Sequence, residues 1–126
     1  MRHRFNTEIA LLAVVLSGCS APEEDRRTTS NDPLLQAIEK EVAAEHSNID
    51  LQGYARFYWR ESGDYVNGRY IEATGVYSSY LGRAGEAYWV EPSEVPYIDD
   101  GGCMVFNVRY HVPSEALVDA SCNFEA

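Results

Sequence analysis

Residues 104–124 read Met-Val-Phe-Asn-Val-Arg-Tyr-His-Val-Pro-Ser-Glu-Ala-Leu-Val-Asp-Ala-Ser-Cys-Asn-Phe, with apolar side chains at every second position on both sides of Pro113. Paired residues of an antiparallel hairpin share a face, so the two apolar sets must oppose each other. The register that pairs Val112 with Ala116 achieves this and sets Arg109 opposite Asp119, a favourable cross-strand charge pair. The stretch therefore predicts a β-hairpin whose turn is residues 113–115.

A period of two also governs the chain from Leu51 onward. The first strand carries two alternating sets of side chains: Ala55, Phe57 and Trp59 on one face, and Tyr54, Arg56, Tyr58 and Arg60 on the other. Residues 69–77 and 86–91 read as two further strands. Two turn signals, Gly63-Asp64 and Asn67-Gly68, lie between the first two strands, and the sequence does not choose between them.

A helix precedes the strands. Asp32 is a favourable N-cap and Pro33 suits the first helical position, so the helix is predicted to run from Pro33 to about residue 47. Its apolar residues recur at three- and four-residue spacing: Leu34, Leu35, Ile38 and Val42. One helix followed by about five strands predicts an α+β fold, with the helix on the concave face of a curved antiparallel sheet in a cystatin-like layout. That layout is an architectural analogy and carries no function with it.

Residues 1–20 have the pattern of an export signal. Arg2 and Arg4 make a basic start, and an unbroken apolar run follows from Ile9 to Leu16. The run closes on Leu16-Ser17-Gly18-Cys19, which resembles the lipobox of bacterial lipoproteins. The resemblance implies that Cys19 becomes the lipidated first residue of the mature protein.

The resemblance divides the chain into a signal peptide over residues 1–18, a tether over 19–31 and a single α+β domain over 32–126. The tether has no large apolar side chain after Cys19, so burial cannot offset its ordering entropy. A lipid anchor in the cell envelope is implied. Because Ser20 is not the Asp that the resemblance associates with inner-membrane retention, the periplasmic face of the outer membrane is implied for a host with two membranes.

Two cysteines remain once Cys19 carries the lipid. Cys103 and Cys122 form an even pair in an oxidising compartment, which predicts a disulfide between them. In a regular ladder Cys103 would point away from Cys122. We therefore expect Cys103 to lie off the strand, where Gly101-Gly102 allows the backbone to turn.

Composition limits the partners of the domain. The chain has 126 residues, with 20 Asp and Glu against 10 Lys and Arg, and a formal net charge of −10. A surface this negative repels phosphate backbones, which argues against nucleic acid as a partner. The same charge favours basic proteins and peptides.

The sequence predicts no catalytic or metal-binding constellation, and no cofactor. Ser121, His111 and Asp119 supply the residue types of a nucleophilic triad, but in the predicted register Ser121 and His111 are about 13 Å apart, beyond hydrogen-bond reach. One loop is acidic but lacks the spacing of a calcium site; its carboxylates are Glu91, Glu94, Asp99 and Asp100. The two histidines after Cys19 fall in different elements and show no zinc pattern.

The strongest remaining functional signal is aromatic. Tyr54, Arg56, Tyr58 and Arg60 combine contact area with polar ends, as binding hot spots do. The leading hypothesis is a lipid-anchored, non-catalytic binding module that inhibits or scavenges a cationic protein or peptide through this face. One alternative is a small cell-wall or glycan hydrolase that uses two carboxylates from the set Glu61, Glu72, Glu86 and Glu91. The other is a structural role in envelope assembly.

Replacing Cys19 with Ala tests the lipobox. Without the thiol no acyl chain can be attached, so we expect the protein to leave the membrane fraction or to remain an unprocessed precursor. Fractionation and intact mass measure the two outcomes, and Ser20→Ala serves as the matched control. An unchanged membrane fraction and mature mass for Cys19→Ala would contradict the prediction.

Overall fold

The computed structural model describes residues 31–73 and 82–123, which form one helix packed against a five-stranded mixed sheet. The helix α1 is Pro33–Glu45. The strands are β1 Tyr54–Arg60, β2 Tyr65–Glu72, β3 Ala87–Trp89, β4 Val105–His111 and β5 Ala116–Cys122, arranged in the order β3-β1-β2-β4-β5. The predicted α+β class is confirmed. The signal peptide, Cys19 and nearly all of the predicted tether lie outside the described residues.

The start of α1 follows from its cap. The Asp32 carboxylate accepts hydrogen bonds from the backbone N–H groups of Leu34, at 2.8 Å, and Leu35, at 3.4 Å. The apolar stripe of the helix is buried at Leu35, Ile38 and Val42. The helix ends at Glu45, two residues before the predicted end. No helix in the described part of the chain is long and apolar enough to cross a membrane.

The sheet is mixed, so the prediction of an antiparallel sheet is wrong. β3 pairs with β1 in parallel, with Arg56 beside Ala87 and Tyr58 beside Trp89. The chain leaves β2 and reaches the far side of β1, and β3 therefore becomes an edge strand. Local alternation in the sequence does not encode such a non-local pairing.

The first hairpin turns at Gly63, which has a φ of 89°. The Gly63-Asp64 signal therefore marks the turn, and Asn67-Gly68 lies within β2. As a consequence β2 begins at Tyr65 and ends at Glu72, earlier than the predicted span of 69–77. Residues 74–77 of that predicted strand lie outside the described residues.

The second hairpin confirms half of its predicted register. Arg109 lies opposite Asp119, and Phe106 lies opposite Cys122, as predicted. The register shifts by one residue between Arg109 and Tyr110, so His111 pairs with Ala116 and the predicted Val112–Ala116 pair is wrong. The irregularity lies next to a turn in which Glu115 adopts a φ of 52°.

Cys103 and Cys122 form a disulfide, as predicted. Cys103 lies off the strand in a short 3₁₀ turn, Gly102–Met104, just before β4. Gly101 and Gly102 have φ values of 110° and 53°, and these values provide the backbone turn that the pairing needs. The two cysteines are 19 residues apart in the sequence. On the chain-entropy model, closing a loop of that length stabilises the fold by roughly 3 kcal/mol.

Both faces of the sheet bury apolar residues. On the helix side, α1 covers a large cluster that includes Tyr58, Tyr70, Phe106 and Val108. On the other side, a smaller cluster of Ala55, Phe57, Ile71 and Tyr88 packs with Ile98. Ile98 belongs to the connection between β3 and β4, so this connection covers only part of the second face.

Gly68 is required by the close packing of its neighbours on the helix side. A Cβ at this position would lie 2.7 Å from Val108 Cγ2 and 2.9 Å from Tyr58 Cε1. We expect Gly68→Ala to lower the free energy of unfolding by about 1–3 kcal/mol through overpacking. Urea denaturation measures the change.

Gly53→Ala is the matched control, because its nearest neighbour would be Asp50 Oδ2 at 4.0 Å. It should leave the free energy of unfolding unchanged or raise it by at most about 1 kcal/mol. Equal destabilisation by the two variants would contradict the packing described here.

Candidate functional site

The face predicted to bind a partner is mostly buried under α1. The exposed fractions are 8% for Tyr54, 5% for Arg56 and 0% for Tyr58. The expectation that this face is exposed is therefore wrong for three of its four residues. Only Arg60 is exposed, with its guanidinium 5.1 Å from the centre of the Trp89 ring. Amphipathic tyrosines suit a covered face as well as an exposed one, because their hydroxyls can still find partners.

Arg56 connects four parts of the fold. Its Nε donates to Glu39 Oε1 of α1 at 2.6 Å. Its Nη1 donates to the backbone carbonyls of Leu51, at 2.5 Å, and Tyr54, at 3.4 Å, and its Nη2 donates to that of Gly85 at 3.3 Å. A buried charge needs such pairing, because an unpaired one is expensive to remove from water.

Two tyrosine hydroxyls extend this buried network. The Tyr58 hydroxyl lies 3.0 Å from Glu39 Oε1 and 2.8 Å from the Tyr70 hydroxyl. A carboxylate has no proton to give, so Tyr58 donates to Glu39 and Tyr70 donates to Tyr58. Burial raises the pKa of Tyr58 well above its usual value and also raises the pKa of Tyr70. Both hydroxyls stay protonated at neutral pH and hold the helix on the sheet.

Within residues 31–73 and 82–123, nothing covers the opposite face of the sheet beyond Gly82 and the β3–β4 connection. This face contains a shallow depression of about 210 Å³, which is floored by backbone at Gly68 and by Val108. The polar and aromatic side chains that line the depression are here called the open sheet face: Trp59, Asn67, Arg69, Asn107, Arg109 and Asp119. These residues come from β1, β2, β4 and β5.

Neutral partners fix one side of the open sheet face. Arg69 Nε donates to Asn107 Oδ1 at 2.9 Å, and its Nη1 donates to the Pro96 carbonyl, also at 2.9 Å. Asn107 Nδ2 donates in turn to Asn123 Oδ1 at 2.7 Å. Asn123 Nδ2 donates to the Ile98 carbonyl at 2.8 Å. This chain of hydrogen bonds ties the β3–β4 connection to the sheet and holds Arg69 in place.

Ionic and aromatic contacts orient the other side. Arg109 Nε pairs with Glu61 Oε2 at 3.0 Å, and its guanidinium lies 4.0 Å from the centre of the Tyr65 ring. Asn67 Nδ2 donates to the same Glu61 oxygen at 3.2 Å. Both side chains of the ion pair are 42% exposed, so the pair contributes little to stability.

Two groups of the open sheet face have no such partner. The Trp59 indole N–H and the Asp119 carboxylate make no hydrogen bond or ion pair with another described residue, although Asp119 lies opposite Arg109 in the ladder. Trp59 is half-buried and Asp119 is exposed. The depression therefore combines an aromatic ring, Arg donors and a free carboxylate on a rigid sheet.

The structure separates two of the four carboxylates of the hydrolase alternative. Glu61 and Glu72 follow opposite ends of the first hairpin, about 23 Å apart at 3.3 Å per residue. Glu86 accepts a hydrogen bond from the Tyr88 hydroxyl, and Glu91 forms a capping box with Glu94. Glu86, Glu91 and Glu94 each have a local structural role.

The serine and histidine of the triad considered from the sequence are also far apart. Ser121 lies opposite Asn107, whereas His111 lies opposite Ala116, and His111 Nδ1 shares a hydrogen bond with Ser114 Oγ at 2.6 Å. Within residues 31–73 and 82–123, no group of three His, Cys, Asp or Glu side chains is arranged to hold a metal ion.

The chain matches no protein-family model, no curated protein and no solved structure.

The Arg56 network generates a stability prediction. Arg56→Leu leaves the Glu39 carboxylate without its cation, so we expect a loss of about 3–5 kcal/mol in the free energy of unfolding. The double variant Arg56→Leu/Glu39→Leu removes both charges and should recover part of that loss. Urea denaturation and a double-mutant cycle measure both effects.

Arg60→Leu is the matched control, because Arg60 lies four residues further along the same strand but is exposed. Losing its contact with Trp89 should cost less than about 1 kcal/mol. The assignment fails if Arg56→Leu is no worse than Arg60→Leu, or if removing Glu39 as well brings no recovery.

Proposed function

We propose that the protein is a lipid-anchored cell-envelope protein that acts as a non-catalytic binding module for a cationic protein or peptide. The anchor is Cys19, on the periplasmic face of the outer membrane where the host has two membranes. The contact region is the open sheet face. The observation that carries this proposal is that the half-buried Trp59 and the unpaired Asp119 carboxylate line one depression, in the same row across the sheet with Asn67 and Arg109 between them.

The charge of the chain supports a basic partner. A formal net charge of −10 raises the rate at which a cationic molecule meets the domain, and this attraction weakens as salt rises. At the contact itself, Asp119 offers an unneutralised carboxylate. Long-range charge brings the partner to the domain, and the open sheet face orients it.

The chemistry of the face supports binding. Trp and Arg are enriched among residues that dominate binding energy. Arg69 and Asn107 are already fixed by hydrogen bonds to the β3–β4 connection, so a partner does not have to order them. The cystatin-like layout stays part of the proposal as an analogy of architecture, and no functional step depends on it.

Capture from envelope extract at low and high salt tests the proposal, followed by affinity measurement on the captured protein. We expect salt to weaken binding. Trp59→Ala should weaken it by at least about tenfold, as loss of a hot-spot aromatic does. Asp119→Asn should reduce affinity mainly at low salt.

Lys40→Ala is the control, because Lys40 is exposed on α1, on the other side of the sheet. Thermal melts of each variant establish that it is folded. Binding that is indifferent to salt and to Trp59→Ala would overturn the proposal. Turnover of purified peptidoglycan that disappears when one Glu is replaced would favour a hydrolase.

A further inference from the structure

The two edges of the sheet differ in length. One edge is β3, Ala87–Trp89, which offers only three residues. The other is β5, Ala116–Cys122, which offers seven. β5 contains no Pro, Lys or Arg, the residues that most often protect a strand edge from pairing. Asp119 is its one charged residue.

Backbone groups of β5 point outward from the sheet. The Asn123 N–H donates to the Val105 carbonyl at 2.8 Å, so this pair belongs to the hydrogen-bonded set of the ladder with β4. Alternation in an antiparallel ladder then directs the groups of Ser121 toward β4 and those of Ala120 and Cys122 toward the free edge. Within the described ranges, no hydrogen bond is made to these outward groups.

The side chains along this edge define what could pair with it. Asp119 and Ser121 lie on the side of the open sheet face, because they are opposite Arg109 and Asn107. Ala120 and Cys122 lie on the helix side, packed against the main core. Next to them, Val118 is 50% exposed at the register shift. An added strand would thus meet a carboxylate on one side and small apolar groups on the other.

Charge selects the occupant. A second copy of the chain would also carry a net charge of −10, and pairing of two β5 strands centred on Asp119 would place the two carboxylates opposite each other. A strand with basic residues would not be repelled by the net charge of the domain, and it would place cations, not a second carboxylate, next to Asp119. It would also continue the open sheet face at Asp119.

We propose that β5 docks an extended basic peptide segment by strand addition, with basic residues toward Asp119 and apolar residues toward Ala120 and Cys122. This inference rests on the proposed function and specifies how the cationic partner binds. Main-chain hydrogen bonds to the outward groups give affinity, and the alternating side chains give specificity.

The test uses the full mature protein and the synthetic peptide acetyl-Lys-Val-Lys-Val-Lys-Thr-amide. With the peptide antiparallel to β5, its Val residues lie opposite Ala120 and Cys122, so their N–H groups donate to β5. N-methylation of the Val residues should weaken binding at least about tenfold. N-methylation of the Lys residues, whose N–H groups point away from β5, is the matched control and should have a much smaller effect.

Amide hydrogen exchange gives a second, site-specific readout. Bound peptide should slow exchange at Ala120 and Cys122 and leave Ser121 unchanged, because the Ser121 N–H already faces β4. Asp119→Asn, which removes the charge without placing a cation opposite Arg109, should weaken binding of the peptide at low salt, and its thermal melt establishes that the variant is folded.

Three results would overturn the inference: no binding of the unmethylated peptide, equal binding of the two methylated peptides, or a dimer of the protein in sedimentation whose contact protects β5. The proposed function is judged separately, by the salt and Trp59→Ala dependence of the captured envelope partner. A partner that depends on Trp59 but does not protect Ala120 and Cys122 would leave the function standing and remove strand addition.

Discussion

The hydrogen-bonded ion pair between Arg56 and Glu39 sets the position of the helix. A guanidinium that is 5% exposed must be neutralised and fully hydrogen-bonded, and here a helix carboxylate and three backbone carbonyls do this. The same Glu39 oxygen also receives the Tyr58 hydroxyl. Any shift of α1 across the sheet would break several of these contacts together, so the network specifies one placement of the helix.

The placement of α1 determines which sheet face remains for binding. With one face filled by the helix, the described residues cover the second face where Gly82 approaches Ala55 and Phe57 and where the β3–β4 connection crosses it. That connection contributes Ile98 to the smaller core and is tied to the sheet through Arg69, Asn107 and Asn123. Trp59 lies beyond the part of the sheet that this connection crosses. Among the described residues, the open sheet face lies where the β3–β4 connection, which contains two 3₁₀ turns and no α-helix, does not cross the sheet.

The sequence predicted those elements whose causes are local. The cap at Asp32, the pairing of Arg109 with Asp119 and the off-strand position of Cys103 each follow from neighbouring residues, and each is confirmed. The parallel pairing of β3 could not be predicted, because it depends on where a long connection delivers the chain. The register shift near Tyr110 depends on the turn conformation, which alternation does not reveal.

The sequence did not show which side of β1 the helix covers, because β1 has aromatic residues on both sides. The Tyr54 hydroxyl donates to the Cys103 carbonyl and the Tyr58 hydroxyl to Glu39, so both side chains are satisfied on the covered side of the sheet. The pattern that indicates the solvent side of the sheet lies in β2 and β4. Asn67, Arg69, Asn107 and Arg109 are polar at alternate positions of β2 and β4, and such a polar set on two adjacent central strands indicates the solvent side of the sheet.

The two arginines of the open sheet face are held with different strength. Arg69 is held by an amide and a carbonyl, so its position is set before any partner arrives. Arg109 is held by an exposed ion pair with Glu61, which contributes little and weakens with salt. A cationic partner can therefore take the Glu61 carboxylate from Arg109 at small cost, while Asp119 supplies a second carboxylate nearby. The two carboxylates thus remain accessible although Arg109 lies between them.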